Sequence, residues 1–247
     1  MNNPGFCNRR EHRDDRGDAG TSVEHFSEGK VRHRSSNPAS YYKFRDNRSI
    51  AYKYKGSLYL NLTNKCTAAC TFCIKNRWKG QFRGHYLKLD HEPSAMEVIK
   101  LIKNPLKFGE IVFCGYGEPL LKLEILKEVA AWVKLKGGKT RINTSGHANL
   151  YHKRNILPEL KGLIDAISIS LNADNAALYE KLHRPIHGKK AFKAMLEFAR
   201  ESKEYISDVT LTCIKFPRSN IEKSRKIAKK LEVDFRVRPY LDEYESS

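Results

Sequence analysis

From residue 58 onward the chain alternates short β-type runs with longer runs of helical period, and nothing else in its 247 residues constrains the fold as strongly. Strand candidates lie at 58–63, 111–114, 140–143, 166–171, 209–214 and 235–237. Between the first two, Ser94 and Glu97 hold a capping-box spacing ahead of Val98, Ile99, Leu101 and Ile102, and Pro105 closes that helix. A second helix is predicted from Pro119 through Leu121, Ile125, Val129 and Trp132 to Gly137 and Gly138, with Pro in its first turn and Gly after its last. Phe192, Met195, Leu196 and Ala199 mark a third, and Ile221, Ile227, Ala228 and Leu231 a fourth. The link around 156–160 is poorly marked. Eight such units close a barrel in about 250 residues, and six fall short of that. The choice lies between an open six-strand partial barrel and a doubly wound sheet, both of which put chemistry at the carboxyl ends of their strands. Residues able to do chemistry cluster there: three cysteines after the first run, Gly115 to Glu118 after the second, Asn143 to Gly146 after the third, Ser170 to Asn172 after the fourth and Arg238 to Tyr240 after the sixth.

Composition sets the boundary of the folded part. No Leu precedes Leu58 and the first Ile is Ile50, while residues 1–49 carry 10 basic and 7 acidic side chains among Ser, Asn and Gly. Such a segment buries too little apolar surface to offset the entropy of ordering, so 1–49 reads as a disordered tail and 50–247 as the core domain. The tail lacks the apolar stretch of a secretory signal, and Glu11, Asp14, Asp15 and Asp18 argue against a presequence, which makes the cytoplasm the expected location. The chain is 40% hydrophobic and 30% charged, with a net charge of +18, and no apolar run approaches the roughly 20 residues of a membrane helix. Of that charge, +15 belongs to residues 50–247, which favours an acidic or phosphate-bearing partner.

The sharpest local signal is Cys66-Thr-Ala-Ala-Cys70-Thr-Phe-Cys73, three of the chain's six cysteines within eight residues. On a loop opened by Asn61, Thr63 and Asn64, three thiols at these spacings reach three irons of one cuboidal cluster and leave the fourth iron open. Two other readings stand beside it: the buried stripe of a helix, and a zinc site completed by His85 or Cys114. Cys114 otherwise reads as a small buried thiol, Cys213 as a core residue and Cys7 as an unconnected thiol of the tail.

The Cys-x3-Cys-x2-Cys pattern, with Phe72 just before its last cysteine, resembles the defining motif of the radical S-adenosylmethionine (SAM) superfamily. More narrowly, LYLNLTNKCTAACTFC, VFCGYGEP and FRVRPY look like the TatD-associated radical SAM proteins, over about residues 52–240. The resemblance implies a partial (β/α)6 TIM-type barrel in which Cys66, Cys70 and Cys73 hold a [4Fe-4S] cluster and SAM chelates the fourth iron. It also implies an outside electron donor such as flavodoxin or ferredoxin. Gly115, Gly117 and Glu118 are similar to the family's Gly-Gly-Glu-Pro motif, which implies contact of Glu118 with the SAM ammonium; Tyr116 departs from the commonest form. Asn143, Ser145, Ser170 and Asn172 are then expected at the ribose and methionyl carboxylate, with Ser145 standing where Asn is more familiar, and Phe72 against the adenine. Strand ends favour Ser, Asn and Gly for conformational reasons too, and Phe72 also reads as a core ring that anchors the loop. His183 and His187 flank an Arg184-Pro185 turn and receive no role.

The chemistry so implied is reductive cleavage of SAM to a 5′-deoxyadenosyl radical that abstracts hydrogen from a substrate, with no side chain needed as acid or base in the first step. Lys65, Lys75 and Arg77 are expected to offset the charge of the cluster. Basic and aromatic residues interleave over 75–86, a pattern of nucleotide and nucleic-acid sites, whereas the run Lys223, Arg225, Lys226, Lys229 and Lys230 suits a solvated helix face. Three readings remain: a radical enzyme on an unidentified substrate such as a nucleotide or nucleic acid, an activase that places a radical on a partner protein, and a non-catalytic iron-sulfur or zinc protein that binds nucleic acid. Oligomeric state is not legible.

Overall fold

The computed structural model describes residues 50–77, 79–217 and 219–240, the Arg77 side chain excepted. The expected tail at 1–49 with Cys7, Trp78 and the Arg77 side chain of the basic aromatic segment, and the last residues of the expected core domain lie outside the described residues.

The first strand, β1 (Ala51–Tyr54), pairs antiparallel with β2 (Ser57–Leu60) through a turn in which Lys55 and Gly56 have φ of 46° and 77°, the left-handed pair that a two-residue hairpin requires. A short ribbon of β3 (Gln81–Phe82) and β4 (His85–Tyr86) turns the same way at Arg83 and Gly84. Five further strands, β5 (Ile111–Phe113), β6 (Thr140–Thr144), β7 (Ala166–Ser170), β8 (Asp208–Ile214) and β9 (Asp234–Arg238), extend β2 in parallel.

The order across the sheet is β1-β2-β5-β6-β7-β8-β9, so each parallel strand is added on the same side as the last. A doubly wound sheet needs a point at which the order reverses, and this sheet has none. With right-handed crossovers in one direction, the helices gather on one face and the other face becomes an interior wall. The fold is an open (β/α)6 partial barrel, with one antiparallel strand at its leading edge.

Register divides the two faces cleanly. Leu60, Phe113, Ile142, Ile167 and Val209 pair in one row across five strands and are all buried. Against this face pack α2 (Ala95–Ile102), α3 (Leu123–Leu135), α4 (Ala148–His152), α5 (Ala176–His183), α6 (Lys190–Ser202) and α7 (Ile221–Leu231) to differing extents, with Leu126 and Val133 of α3 and Met195 and Phe198 of α6 among the core, whereas the short α1 (Ile74–Arg77) follows the cysteine motif outside this core. One residue along, Asn143, Ser168, Thr210 and Asp234 form a polar row on the opposite face.

The Ser94–Glu97 capping box forms as its spacing predicts, with Ser94 N donating to Glu97 Oε2 at 2.9 Å and Glu97 N to Ser94 Oγ at 3.3 Å. Pro119 opens a 3-10 turn (Pro119–Lys122), and the α-helix starts only at Leu123 because Glu118 caps the turn at Leu120 N. The poorly marked link between β6 and β7 holds α4 and a 3-10 turn (Leu157–Leu160). Among the described residues no helix is long and apolar enough to cross a membrane.

Phe113 is fully buried within the apolar row. Phe113→Ala is expected to lower the unfolding free energy by about 3–5 kcal/mol, seen as a lower urea midpoint with an unchanged slope.

Candidate active site

The loop after β2 is fixed by three polar side chains before it reaches its cysteines. Buried Asn61 donates Nδ2 to Leu87 O at 2.6 Å and accepts Tyr116 N on Oδ1 at 2.9 Å. Asn64 bonds both main-chain groups of Leu89, at 2.8 and 2.9 Å. Thr63 Oγ1 accepts Lys65 N at 2.9 Å and donates to Glu92, which also pairs with Lys122. The turn after β5 then crosses this loop at van der Waals contact: Glu118 N donates to Lys65 O at 2.8 Å. A Cβ on Gly115 would stand 2.2 Å from Asn61 Oδ1, and one on Gly117 would stand 2.3 Å from Lys65 O and 2.4 Å from Thr63 O. Both glycines lie outside the left-handed region, so glycine is required here by crowding. The close approach they permit is to the protein's own cysteine loop.

Beyond that crossing, the loop is stitched to the end of α5. Ala68 forms an antiparallel bridge with Pro185, Thr71 N donates to Leu182 O at 2.9 Å and Ile186 N to Thr67 O at 2.9 Å. The Arg184-Pro185 turn is thus a splint for the cysteines, and it brings His183 to Cys70.

Cys66, Cys70 and Cys73 are half-buried and lie within electrostatic reach of one another. Burial, reinforced by Glu118, pushes the Cys66 thiol up to about 11, and burial and the other two cysteines push Cys70 higher still. Cys66 and Cys70 are therefore held as neutral thiols, and binding of a metal there would release their protons. Among the described residues no group of three or more His, Cys, Asp or Glu side chains is placed to hold a single metal ion. A cuboidal cluster asks for something different, one thiolate at each of three separate irons. The donors present fit that group. They do not assemble the zinc alternative: His85 packs its ring 5.4 Å from that of Tyr52, and the half-buried Cys114 thiol bonds Asn143 and faces Arg238 and Arg141.

His183 is the residue that sequence reasoning left without a role. It is buried, stacked on Tyr179 at 4.1 Å and met edge-on by Phe72 at 5.3 Å. Asn172 Oδ1 accepts Ile214 N at 2.8 Å, which turns the Asn172 amide NH2 toward His183 Nε2 at 3.4 Å. An imidazole that accepts at Nε2 carries its proton on Nδ1, and Nδ1 faces Cys70 Sγ at 3.5 Å. Burial pulls His183 down to about 3, against a backbone hydrogen bond at Leu171, so the ring is neutral and sets its Nδ1 edge against a cluster-motif sulfur. The spacing of Tyr179 and His183, four apart on one face of α5, was the sequence signal for this pair.

A second buried chain links the loop to the turn after β6. Thr67 Oγ1 bonds His147 Nδ1 at 3.1 Å, His147 Nε2 bonds Tyr179 Oη at 2.7 Å, and Tyr179 Oη donates to Ser145 O at 3.4 Å. Glu118 sits beside it, buried, and burial raises its carboxyl. Its Oε1 accepts Thr144 Oγ1 at 2.8 Å and Leu120 N at 3.2 Å, and its Oε2 accepts Ser145 N and Ser145 Oγ, both at 2.8 Å. Asn143 lies on the interior wall, its Oδ1 accepting Arg141 Nη1 at 2.8 Å, and Ser170 ends β7 on the same wall. Asn172, at φ 49°, gives its side chain to Ile214 and His183. Phe72 is half-buried between His183 and Phe216.

Of the basic residues near the motif, Lys75 donates to Asn64 O at 2.8 Å, lies over the Tyr116 ring at 4.4 Å and acts electrostatically on Cys66. Of the aromatic residues of the following ribbon, Phe82 packs on Tyr52 and Tyr54 at 6.0 and 5.2 Å, while Tyr86 stays exposed. On α7, Lys223 pairs with Asp174 at 3.5 Å and Arg225 lies over Phe235, as befits a solvated face.

A family model for the radical SAM superfamily matches residues 60–231, and the chain belongs to that superfamily. Superfamily membership implies a [4Fe-4S] cluster and SAM, and it supports radical chemistry by SAM cleavage. The uncharacterized protein MJ0804 of Methanocaldococcus jannaschii is 28% identical over 173 residues, 70% of this chain and 52% of that protein. The chain thus spans about half the length of this relative. Among solved structures, Streptococcus suis SuiB bound to its precursor peptide SuiA matches with a TM-score of 0.55 at 16% identity, covering 91% of this chain and 54% of that one. SuiB bound to S-adenosylmethionine matches with a TM-score of 0.55 at 16% identity, covering 77% and 47%. At these identities the likeness is one of fold.

Burial, with the charge of His187 adding to it, pulls His147 down to about 4. Its unfolded counterpart takes up a proton near 6.5, so between those values the unfolded chain holds more protons and stability falls as the pH falls. Urea unfolding of cluster-free protein at pH 7.5 and pH 5 is expected to show a loss on the order of 2 kcal/mol from His147 and a comparable one from His183; His147→Gln should shrink the difference.

Proposed function

We propose that the chain is an enzyme that holds a [4Fe-4S] cluster through Cys66, Cys70 and Cys73, cleaves SAM reductively and turns the resulting 5′-deoxyadenosyl radical on a C–H bond of its substrate. The observation that carries this reading is the crossing of the cysteine loop with the Gly115–Glu118 turn, which sets a buried carboxylate beside three clustered thiols. When bound, cluster and SAM supply the electron and the scissile sulfur–carbon bond. The chain supplies position. Glu118 takes the SAM ammonium once the Ser145 and Thr144 hydroxyls turn aside, while Ser145 N and Leu120 N keep the carboxylate aimed. Asn143, Ser145 and Ser170 serve the ribose and methionyl carboxylate, and Phe72 the adenine. Asn172 acts in addition through His183, by fixing the tautomer that meets Cys70.

The LYLNLTNKCTAACTFC, VFCGYGEP and FRVRPY segments support assignment to the TatD-associated subgroup. The positive charge of residues 50–247 suits docking of an acidic one-electron donor such as flavodoxin or ferredoxin, in the cytoplasm. The inward packing of Phe82 and His85 removes two of the rings that a nucleic-acid reading would need for base stacking.

Anaerobically reconstituted protein is expected to release 5′-deoxyadenosine from SAM under reduction and to change its cluster spectrum when SAM is added; Cys70→Ala should abolish both. Retention of 5′-deoxyadenosine release in Cys70→Ala would refute the reading.

His183→Phe keeps the ring stack and deletes the N–H donor. Its cluster is expected to assemble but to show a more negative midpoint potential in an EPR-monitored redox titration, because hydrogen bonds to ligand sulfur favour the reduced state.

A further inference from the structure

On the interior wall, away from the helices, lies a cavity of about 320 Å3 that shares only Asn143 with the proposed cofactor contacts. Its lining joins opposite edges of the sheet: Tyr54 and Tyr59 from the first two strands and Arg236 and Arg238 from the last. The sheet therefore curls enough for both edges to face one space. Four cations line it, Lys55, Arg141, Arg236 and Arg238, against one carboxylate, Glu110.

That carboxylate is already engaged. Glu110 accepts Arg141 Nε at 2.9 Å and Arg141 Nη2 at 2.5 Å, and the third Arg141 nitrogen goes to Asn143. Among the described residues neither Arg236 nor Arg238 has a carboxylate partner. Two residues apart on β9, they point to the same side about 6.6 Å apart along the strand. The Ser168 and Thr212 hydroxyls complete this part of the wall, so it is rich in donors and short of acceptors. Planar guanidinium forks in such a setting select tetrahedral or planar oxyanions.

The cavity also adjoins the chemistry. The Cys114 side chain bonds Asn143 and lies within electrostatic reach of both Arg238 and Glu118, the carboxylate assigned to SAM. Asn143 is thus common to the cavity lining and to the proposed cofactor contacts. At about 320 Å3 the space suits a small molecule and is at the lower end of the range for ligand pockets.

We propose that this cavity is the substrate site and that the substrate is a small molecule bearing an oxyanion, phosphate or carboxylate, gripped by Arg236 and Arg238. Its standing as a substrate site rests on the radical SAM reading; the anion binding itself does not.

The test is calorimetric titration of the full chain, without reconstitution and at low ionic strength, with inorganic phosphate in one arm and succinate in the other. Saturable binding of either is expected, phosphate alone identifying a phosphate-bearing substrate and succinate alone a carboxylate. Arg236→Gln combined with Arg238→Gln should weaken it at least tenfold, while Lys226→Gln with Lys230→Gln on α7 should change it less than twofold. No saturation by either anion, or an equal loss in the lysine pair, would overturn the site. Should the arginine pair fail to fold, phosphate or succinate must shield Arg236 and Arg238 of the native chain from phenylglyoxal, and unshielded modification would overturn it equally. If SAM cleavage is absent in the reconstituted protein while arginine-dependent binding persists, the oxyanion site is upheld and the radical reading is what fails.

Discussion

Two backbones cross where Gly117 meets the carbonyls of Thr63 and Lys65, at distances that admit no side chain. The crossing joins the loop after β2 to the turn after β5, its neighbour in the sheet, with Glu118 N on Lys65 O and Tyr116 N on Asn61 locking the contact. A loop bearing three thiols would otherwise gain entropy by moving, and their placement would drift with it. Clamped on one side by this turn and on the other by the Arg184-Pro185 splint, the cysteines are held before any metal arrives. Such preorganisation is what a site needs if its geometry is to survive a change in the charge of what it binds.

The interior polarity follows from the number of strands. A closed barrel fills its centre with interlocking apolar side chains. Six strands leave the barrel open, so that Arg236 and Arg238 stand exposed on the inner wall without the cost of dry burial, while Ser168, Thr210 and Thr212 line it as buried hydroxyls. The apolar core is displaced to the helix side, where Leu60, Phe113, Ile142 and Ile167 form one continuous row. Stability and function thus occupy opposite faces of the same strands, separated by the period of two.

Much of this was legible in the residues. All six parallel strands fall within a few residues of their sequence positions, because each is a short run of β-type residues. The helix at Ser94 was readable from its cap. By contrast β1 was missed: Tyr-Lys-Tyr on an edge alternates aromatic with charged residues and gains its strand character only from pairing with β2 and from the rings of Phe82 and His85. The same contacts explain why the segment over 75–86 read as a basic aromatic surface, since Phe82 and His85 find their partners on β1, away in sequence, while Tyr86 remains exposed. α5 was missed because its apolar face is narrow and two of its buried residues, Tyr179 and His183, are polar-tipped.

What the sequence by itself determined is the set of local preferences: six βα units, the three-thiol motif and the small residues at strand ends. These depend on spacing and on propensity, both of which are properties of neighbours in the chain. Only the tertiary structure decided that Gly115 and Gly117 make room for protein, that His183 meets Cys70 by its Nδ1 edge, and that Arg236 and Arg238 share a cavity with Tyr59. Each of those joins residues more than 50 positions apart, and contacts of that kind exist only once the strand order has brought them together.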